Sequence, residues 1–137
     1  DWDFILIDCP PSLGLLTLNG MTAADEVLIP LQCEYYALEG LSLLLKTIKR
    51  IQKNLNPSLA IGGIFFTMFD QRTRLSQDVV RQVSDYFKDT VFRTIVPRNV
   101  RIAEAPSHGT PISRFDAACL GARSYESLAR EVLARAS

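Results

Sequence analysis

The sequence lacks an excess of charge of either sign, because fifteen basic residues balance fifteen acidic ones. This balance argues against a protein that coats nucleic acid through its overall charge, but a local basic patch remains compatible with it. The sequence also lacks any apolar run that approaches the roughly 18 to 20 residues needed to cross a bilayer. A protein that spans a membrane by a helix is therefore not expected.

Cysteine and histidine are scarce, with three cysteines and one histidine. Cys9, Cys33 and Cys119 lie far apart, and no two of them have C-x-x-C spacing, so a zinc site is not expected. Reduced cysteines in a cytoplasmic protein are the simplest interpretation. Cys9 follows an apolar run as a nucleophile would, but the lone base candidate His108 is distant in sequence, which disfavours catalysis by this thiol.

The material that is present suits one ordinary globular domain, with 137 residues, 47% hydrophobic and 22% charged. Four short apolar runs predict strands, at Phe4–Ile7, Val27–Ile29 (closed by Pro30), Ile61–Phe69 and Val91–Val96 (closed by Pro97). Helical periodicity lies between and after them, at Leu13–Ala24, Glu39–Leu55, Gln77–Phe87 (with Ser76 as N-cap) and Tyr125–Leu133. Strands that alternate with helices predict an α/β domain with a mainly parallel sheet and flanking helices.

The helix predicted over Glu39–Leu55 has two contrasting faces. One carries an apolar stripe that suits burial, and the other carries four cations, Lys46, Lys49, Arg50 and Lys53. A charged face of this kind is more often plain solvated surface than a binding site.

Asp8 is the residue most suggestive of chemistry, because it directly follows the first apolar run. Ligands of open α/β sheets bind at the carboxyl ends of the strands. A carboxylate there suits Mg²⁺, which prefers hard oxygen ligands. Two alternatives are an aspartate that caps the following turn and the phosphoacceptor of a signalling domain. The second needs an earlier acidic pair and a lysine at a later strand end, and the end at Val96-Pro97 has none.

Four segments, in order along nearly the whole chain, resemble the ParA/Soj family of DNA-partitioning ATPases. They are ILIDCPPSLGLLT (5–17), PLQCEYYALEG (30–40), VPRNVR (96–101) and EAPSHG (104–109). The resemblance implies that residues 1–137 are the C-terminal portion of a P-loop NTPase-like domain.

Roles for individual residues follow from the same resemblance. Asp8 matches the Walker B aspartate, which supports catalysis and Mg²⁺. The resemblance assigns contact with the adenine base of ATP to Thr67, Met68, Pro97, Arg98 and Asn99. It assigns sequence-nonspecific DNA binding to Arg72 and Arg101, whose guanidinium groups suit phosphate oxygens.

The implied activity is an ATP-dependent switch in the cytoplasm, associated with the nucleoid. An ATP-bound homodimer would bind nonspecific DNA, and a ParB-type partner would stimulate hydrolysis and release it. Tyr35 and Tyr36 either line a dimer interface or simply pack. A MinD-like ATPase that acts at membranes is an alternative, but the apolar stripe of the last helix looks core-facing, which disfavours a membrane anchor.

One family element is missing from the sequence: there is no G-x-x-x-x-G-K-[ST] loop or similar glycine and lysine cluster. The family's catalytic aspartate on an earlier strand is also missing. We therefore expect residues 1–137 alone neither to hydrolyse ATP nor to bind it tightly. The start at Asp1-Trp2-Asp3, without Met, predicts a cut within a longer protein. Without the central Walker A strand, we expect exposed apolar surface, and we expect residues 1–137 folded alone to self-associate or rearrange.

Overall fold

The computed structural model describes residues 2–10, 12 and 14–136. Within them, three parallel strands form one sheet in the order β1-β2-β3. The strands are β1 (Glu26–Gln32), β2 (Ala60–Phe69) and β3 (Val91–Pro97). The helices are α1 (Leu15–Ala23), α2 (Ala37–Asn54), α3 (Arg74–Phe87), α4 (Val100–Glu104), α5 (Ile112–Phe115) and α6 (Leu120–Ala136), with short 3-10 turns at Lys88–Thr90 and Ala105–His108. The predicted α/β class with a parallel sheet and flanking helices is confirmed.

The sheet is covered on both faces by apolar contacts. The larger cluster joins β1 and β2 to α2 and α3, and its buried members include Ile29, Ile48, Ile51, Ile64, Phe66, Val79 and Val83. The smaller cluster joins β3 to α6 through Phe92, Val96 and Leu128. Burial of each such side chain contributes about 1.5–3 kcal/mol. The apolar stripe of α6 therefore faces the core, as its sequence predicted.

An irregular stretch of β3 is held by the last helix. Ile64 pairs with Val91 and Phe66 with Ile95, so β3 carries extra residues relative to β2 between these pairs. The Glu131 carboxylate accepts hydrogen bonds from the backbone N–H groups at residues 93 and 94, at 2.7 and 3.0 Å. A side chain of α6 thus satisfies donors that a regular ladder would have satisfied.

Asn56 connects the end of α2 to the end of α1. Its buried amide nitrogen lies 3.2, 3.1 and 2.8 Å from the carbonyl oxygens of Met21, Thr22 and Ala24. The last carbonyl groups of a helix have no partner within that helix, and Asn56 supplies one. This contact sets where the chain enters β1.

The prediction of a strand over Phe4–Ile7 is wrong for this structure. These residues form no regular element, and their side chains are between 50 and 84% exposed. A strand needs a neighbour for its backbone hydrogen bonds. Phe4–Ile7 pairs with neither β1 nor β3, the two edges of the sheet that the described residues form. The expected exposure of apolar surface is confirmed, while self-association stays a prediction.

Two details of the sequence interpretation also need correction. Pro30 does not close β1, which continues to Gln32, because a proline is tolerated on an edge strand. Ser76 is not the N-cap of α3. That position is Thr73, whose hydroxyl oxygen accepts from Ser76 N–H at 3.3 Å, while Ser76 is buried inside the first turn.

Candidate functional site at the carboxyl ends of the strands

The loops that follow the three strands are joined by hydrogen bonds. The Cys33 N–H donates to the Thr67 carbonyl at 3.0 Å, and the Arg98 N–H donates to the Phe69 carbonyl at 2.9 Å. The Arg98 guanidinium also pairs with the Glu34 carboxylate at 3.1 Å, from the loop after β3 to the loop after β1. The end of β2 is therefore held from both sides at the edge where parallel sheets bind ligands.

Met68 lies between these two tethered carbonyl groups and has a backbone φ of 54°. A non-glycine residue in the left-handed region costs about 1–3 kcal/mol and persists only where the surroundings impose it. Here the bonds to Thr67 and Phe69 impose it. Such strain is concentrated at ligand sites, which fits the assignment of Thr67 and Met68 to a base contact.

The N-terminus of α3 is anchored to the same edge. The buried Ser76 hydroxyl donates to the Cys33 carbonyl at 3.2 Å, and the Asp70 N–H donates to the Ser76 hydroxyl at 3.4 Å. Burial raises the pKa of the neighbouring Cys33 thiol to about 11, so this group stays protonated at neutral pH. Cys33 is 3% exposed and packs in the larger apolar cluster.

Arg72 is held by Asp70 at the turn between β2 and α3. Its Nε and Nη2 donate to the two carboxylate oxygens at 2.9 and 2.7 Å, and its backbone N–H donates at 3.0 Å. These hydrogen bonds and the guanidinium charge hold the pKa of Asp70 well below its usual range. The Arg72 side chain is 82% exposed, but its charge is neutralised locally.

Arg101 is held by two carboxylates. It pairs with Asp116 at 2.9 Å and with Glu104 at 2.8 Å. These two contacts raise the pKa of the Arg101 guanidinium. The guanidinium also lies 4.7 Å from the centre of the Phe115 ring. The His108 ring stacks on the same phenyl ring at 4.6 Å. One positive charge thus faces two negative ones around Arg101.

Asn99 has a structural role that its sequence position did not reveal. It is the N-cap of α4, and its side-chain oxygen accepts from the Arg101 N–H at 2.9 Å. Pro97 is the last residue of β3 and pairs with Phe69. The loop from Pro97 to Asn99 is therefore pinned to both β2 and α4.

Asp8 lies in the exposed N-terminal stretch and is not brought together with the strand-end loops by any hydrogen bond or ion pair of the described residues. Among those residues no group of three or more metal-ligating side chains is found. Mg²⁺ commonly takes one or two carboxylates and completes its shell with water and phosphate oxygens. A single aspartate fits that donor set in part, and Asp8 would be the residue to hold the ion.

A cleft of about 420 Å³ lies beside β1 and the start of α2. Its walls include Ile29, Leu31, Tyr35, Tyr36 and Leu44, but not the residues assigned to the base. The two tyrosine rings meet edge to face at 5.1 Å and are exposed. They pack on each other in this structure, and a role in a dimer interface stays a prediction.

The structure thus brings together Thr67, Met68, Pro97, Arg98 and Asn99. No hydrogen bond or ion pair of the described residues joins Asp8 to them. Sequence reasoning missed the carboxylates that hold the basic residues, namely Glu34, Asp70, Glu104 and Asp116. For Asp70 the D-x-R spacing could have predicted the ion pair, because in a turn an arginine side chain can reach a carboxylate two residues before it. For Glu34 and Asp116 the contacts are long-range, so no local pattern would have found them.

Comparisons with known proteins match this architecture. The AAA domain family matches residues 1–61. The chain is 71% identical over 134 residues to the chromosome-partitioning ATPase Soj of Treponema pallidum, covering 98% of this chain and 53% of that protein. It is 57% identical to the sporulation initiation inhibitor protein Soj of Bacillus subtilis, with the same two coverages.

The chain belongs to the Soj/ParA family of partitioning ATPases. It spans about half the length of the curated relatives that it matches. Among solved structures, it is similar to cobyrinic acid a,c-diamide synthase from Mycobacterium smegmatis with a bound ATP analogue and magnesium, at a TM-score of 0.73 and 39% identity. That match covers 92% of this chain and 45% of the synthase. The fold is thus a portion of a P-loop NTPase-like fold.

Within the described part of this Soj/ParA chain, no helix is long and apolar enough to cross a membrane.

Proposed function

We propose that this chain is the C-terminal part of an ATP-dependent switch that partitions chromosomal or plasmid DNA. The observation that carries the proposal is 71% identity to a chromosome-partitioning ATPase over 134 residues. The strand-end loops support it, because they hold the residues assigned to the nucleotide in one tethered group. The remaining half of the protein would supply the phosphate-binding loop.

The switch would work through ATP-dependent dimerisation. In this proposal Asp8 supports Mg²⁺ binding and ATP hydrolysis. The adenine base is contacted by Thr67, Met68 and Pro97 to Asn99. A homodimer binds nonspecific DNA through Arg72 and Arg101. Dimerisation doubles the number of weak phosphate contacts, so a modest patch becomes effective through avidity. A ParB-type partner would then release the cytoplasmic, nucleoid-associated dimer.

The test uses the natural full-length protein and double-stranded DNA of arbitrary sequence. We expect DNA binding with ATP and little with ADP, and we expect Arg101→Ala to weaken binding uniformly across sequences. Arg130→Ala is the matched control, because Arg130 is an exposed arginine paired with Glu126 at 2.6 Å. DNA binding that is indifferent to the nucleotide would refute the proposal.

The role of Asp8 is tested separately by its neutral analogue. We expect Asp8→Asn to lose Mg²⁺-dependent ATP hydrolysis, because an amide is a poor ligand for a hard divalent cation. Asp3→Asn is the control, since Asp3 lies in the same exposed stretch. Equal loss in both variants would mean that Asp8 has no specific role.

A further inference from the structure

The cations of this chain fall into two groups that differ in their partners. Six of the fifteen basic side chains form ion pairs with carboxylates in the described structure: Arg72, Arg81, Arg98, Arg101, Arg130 and Arg135. Both arginines assigned to DNA by the family resemblance are in this neutralised group. A phosphate that binds either one must compete with a carboxylate already in place.

The unneutralised positive charge is concentrated on α2. Lys46, Lys49, Arg50 and Lys53 are all exposed, and within the described residues none of them has a carboxylate within ion-pair distance. Their spacing of three, four and seven residues places them on one face of the helix. We call these four side chains the α2 basic stripe.

The fold itself gives no reason for this stripe. Like charges three and four residues apart destabilise a helix, and the single acidic residue of α2, Glu39, lies in its first turn. The helix dipole favours a cation near the C-terminus, which accounts for Lys53 but not for Lys46 in the middle of the helix. The stripe therefore opposes folding slightly, so helix stability does not account for four cations on one face.

The stripe is also held rigidly. Ile48 and Ile51 alternate with its members and are fully buried against the sheet. Gln52 anchors the same turn by donating to the Leu59 carbonyl at 2.7 Å. Along the axis the four cations span about 10 Å, a length over which each DNA strand presents about three phosphates.

We propose that the α2 basic stripe is a second DNA-binding surface, which contacts the phosphate backbone of double-stranded DNA. The inference rests on the proposed function, because it assumes that the protein binds DNA. Between residues 46 and 53 every exposed side chain is a cation. A helix that enters a lipid surface needs exposed apolar side chains interleaved with its basic ones. Residues 46–53 present none, and the exposed side chains of Leu43 and Leu55 lie only beyond the two ends of the stripe.

The experiment measures how DNA affinity depends on salt concentration, in the presence of ATP, for the full-length wild-type protein and three variants. The stripe variant combines Lys46→Gln, Lys49→Gln, Arg50→Gln and Lys53→Gln. The control variant removes the same charge from dispersed exposed sites by combining Lys88→Gln, Arg93→Gln, Arg123→Gln and Arg130→Gln. A third variant, with Lys46→Arg, Lys49→Arg and Lys53→Arg, keeps the charge and should bind as wild type does.

If all four cations contact phosphates, the slope of log affinity against log salt becomes shallower by up to about 3.6 in the stripe variant. Between about 50 and 200 mM salt the wild type would then lose up to about 150-fold more affinity than the stripe variant loses. The control variant should keep a slope near that of wild type. The stripe variant should also unfold at the same temperature as wild type or a higher one, because like-charge repulsion has been removed.

The outcomes separate the two proposals. If wild type with ATP does not bind DNA, the proposed function fails. If wild type binds and the stripe and control variants have equal slopes, the function stands and this inference is wrong. If the stripe variant keeps DNA binding but loses binding to anionic phospholipid vesicles that wild type shows, the partner is a membrane surface and the assignment to DNA is wrong.

Discussion

Replacing Glu131 by glutamine tests how α6 stabilises the edge of the sheet. The carboxylate accepts two backbone N–H groups of β3 and lies 3.7 Å from the Arg135 guanidinium, with its side chain 20% exposed. Glutamine is nearly isosteric but has a single acceptor oxygen. Its NH₂ group would face one of the two backbone donors.

The expected cost follows from these contacts. A hydrogen bond to a charged group contributes about 1.5–3 kcal/mol, and an unsatisfied buried donor costs about 1–3 kcal/mol. Glu131→Gln loses one such bond at a partly exposed site, so we expect a loss of about 2 kcal/mol in the free energy of unfolding. Urea denaturation at neutral pH, followed by circular dichroism, measures it.

The same contact predicts a pH dependence. Partial burial raises the pKa of Glu131, but the N–H groups of Arg93 and Thr94 and the charge of Arg135 outweigh burial, so the pKa lies below its ordinary value of 4.5. A lowered pKa means that this stabilisation is complete above pH 4.5 and is lost as the pH falls through the folded-state value. The difference between wild type and Glu131→Gln should therefore shrink in acid.

Glu126→Gln on the same helix is the control. Glu126 forms an exposed ion pair with Arg130, and such pairs contribute about 0–1 kcal/mol. Equal destabilisation by the two substitutions, or a Glu131→Gln difference that persists unchanged in acid, would mean that the Glu131 carboxylate does not hold β3 through these two N–H groups.

Two further pairs of substitutions test the packing that positions the site. Gly63→Ala should destabilise the protein by about 1–3 kcal/mol, because the added methyl group would overlap the Phe92 ring. Gly40→Ala has open space in α2 and should stabilise the protein by about 0.5–1 kcal/mol. The unfolding temperature should therefore fall in the first variant and rise in the second. Asn56→Ala should cost about 1–3 kcal/mol by removing the partner of the α1 carbonyl groups, and exposed Asn54→Ala should cost less, so equal unfolding midpoints would contradict the role of Asn56.

Several features of this protein were readable from local sequence. The helices α2, α3 and α6 follow from apolar residues at helical spacing, and β2 and β3 follow from continuous runs of apolar and β-branched residues. The charged face of α2 also follows from spacing alone. These signals depend on side chains a few residues apart, which the sequence places side by side.

The tertiary structure decided what depends on distant residues. Phe4–Ile7 has the composition of a strand, but its backbone pairs with no strand of the sheet, so it forms none. Glu34 and Asp116, which pair with Arg98 and Arg101, come from loops far from them along the chain, so these two contacts were invisible in local sequence. The left-handed backbone of Met68 likewise results from tethers on either side, because only packed neighbours can hold a strained residue in place.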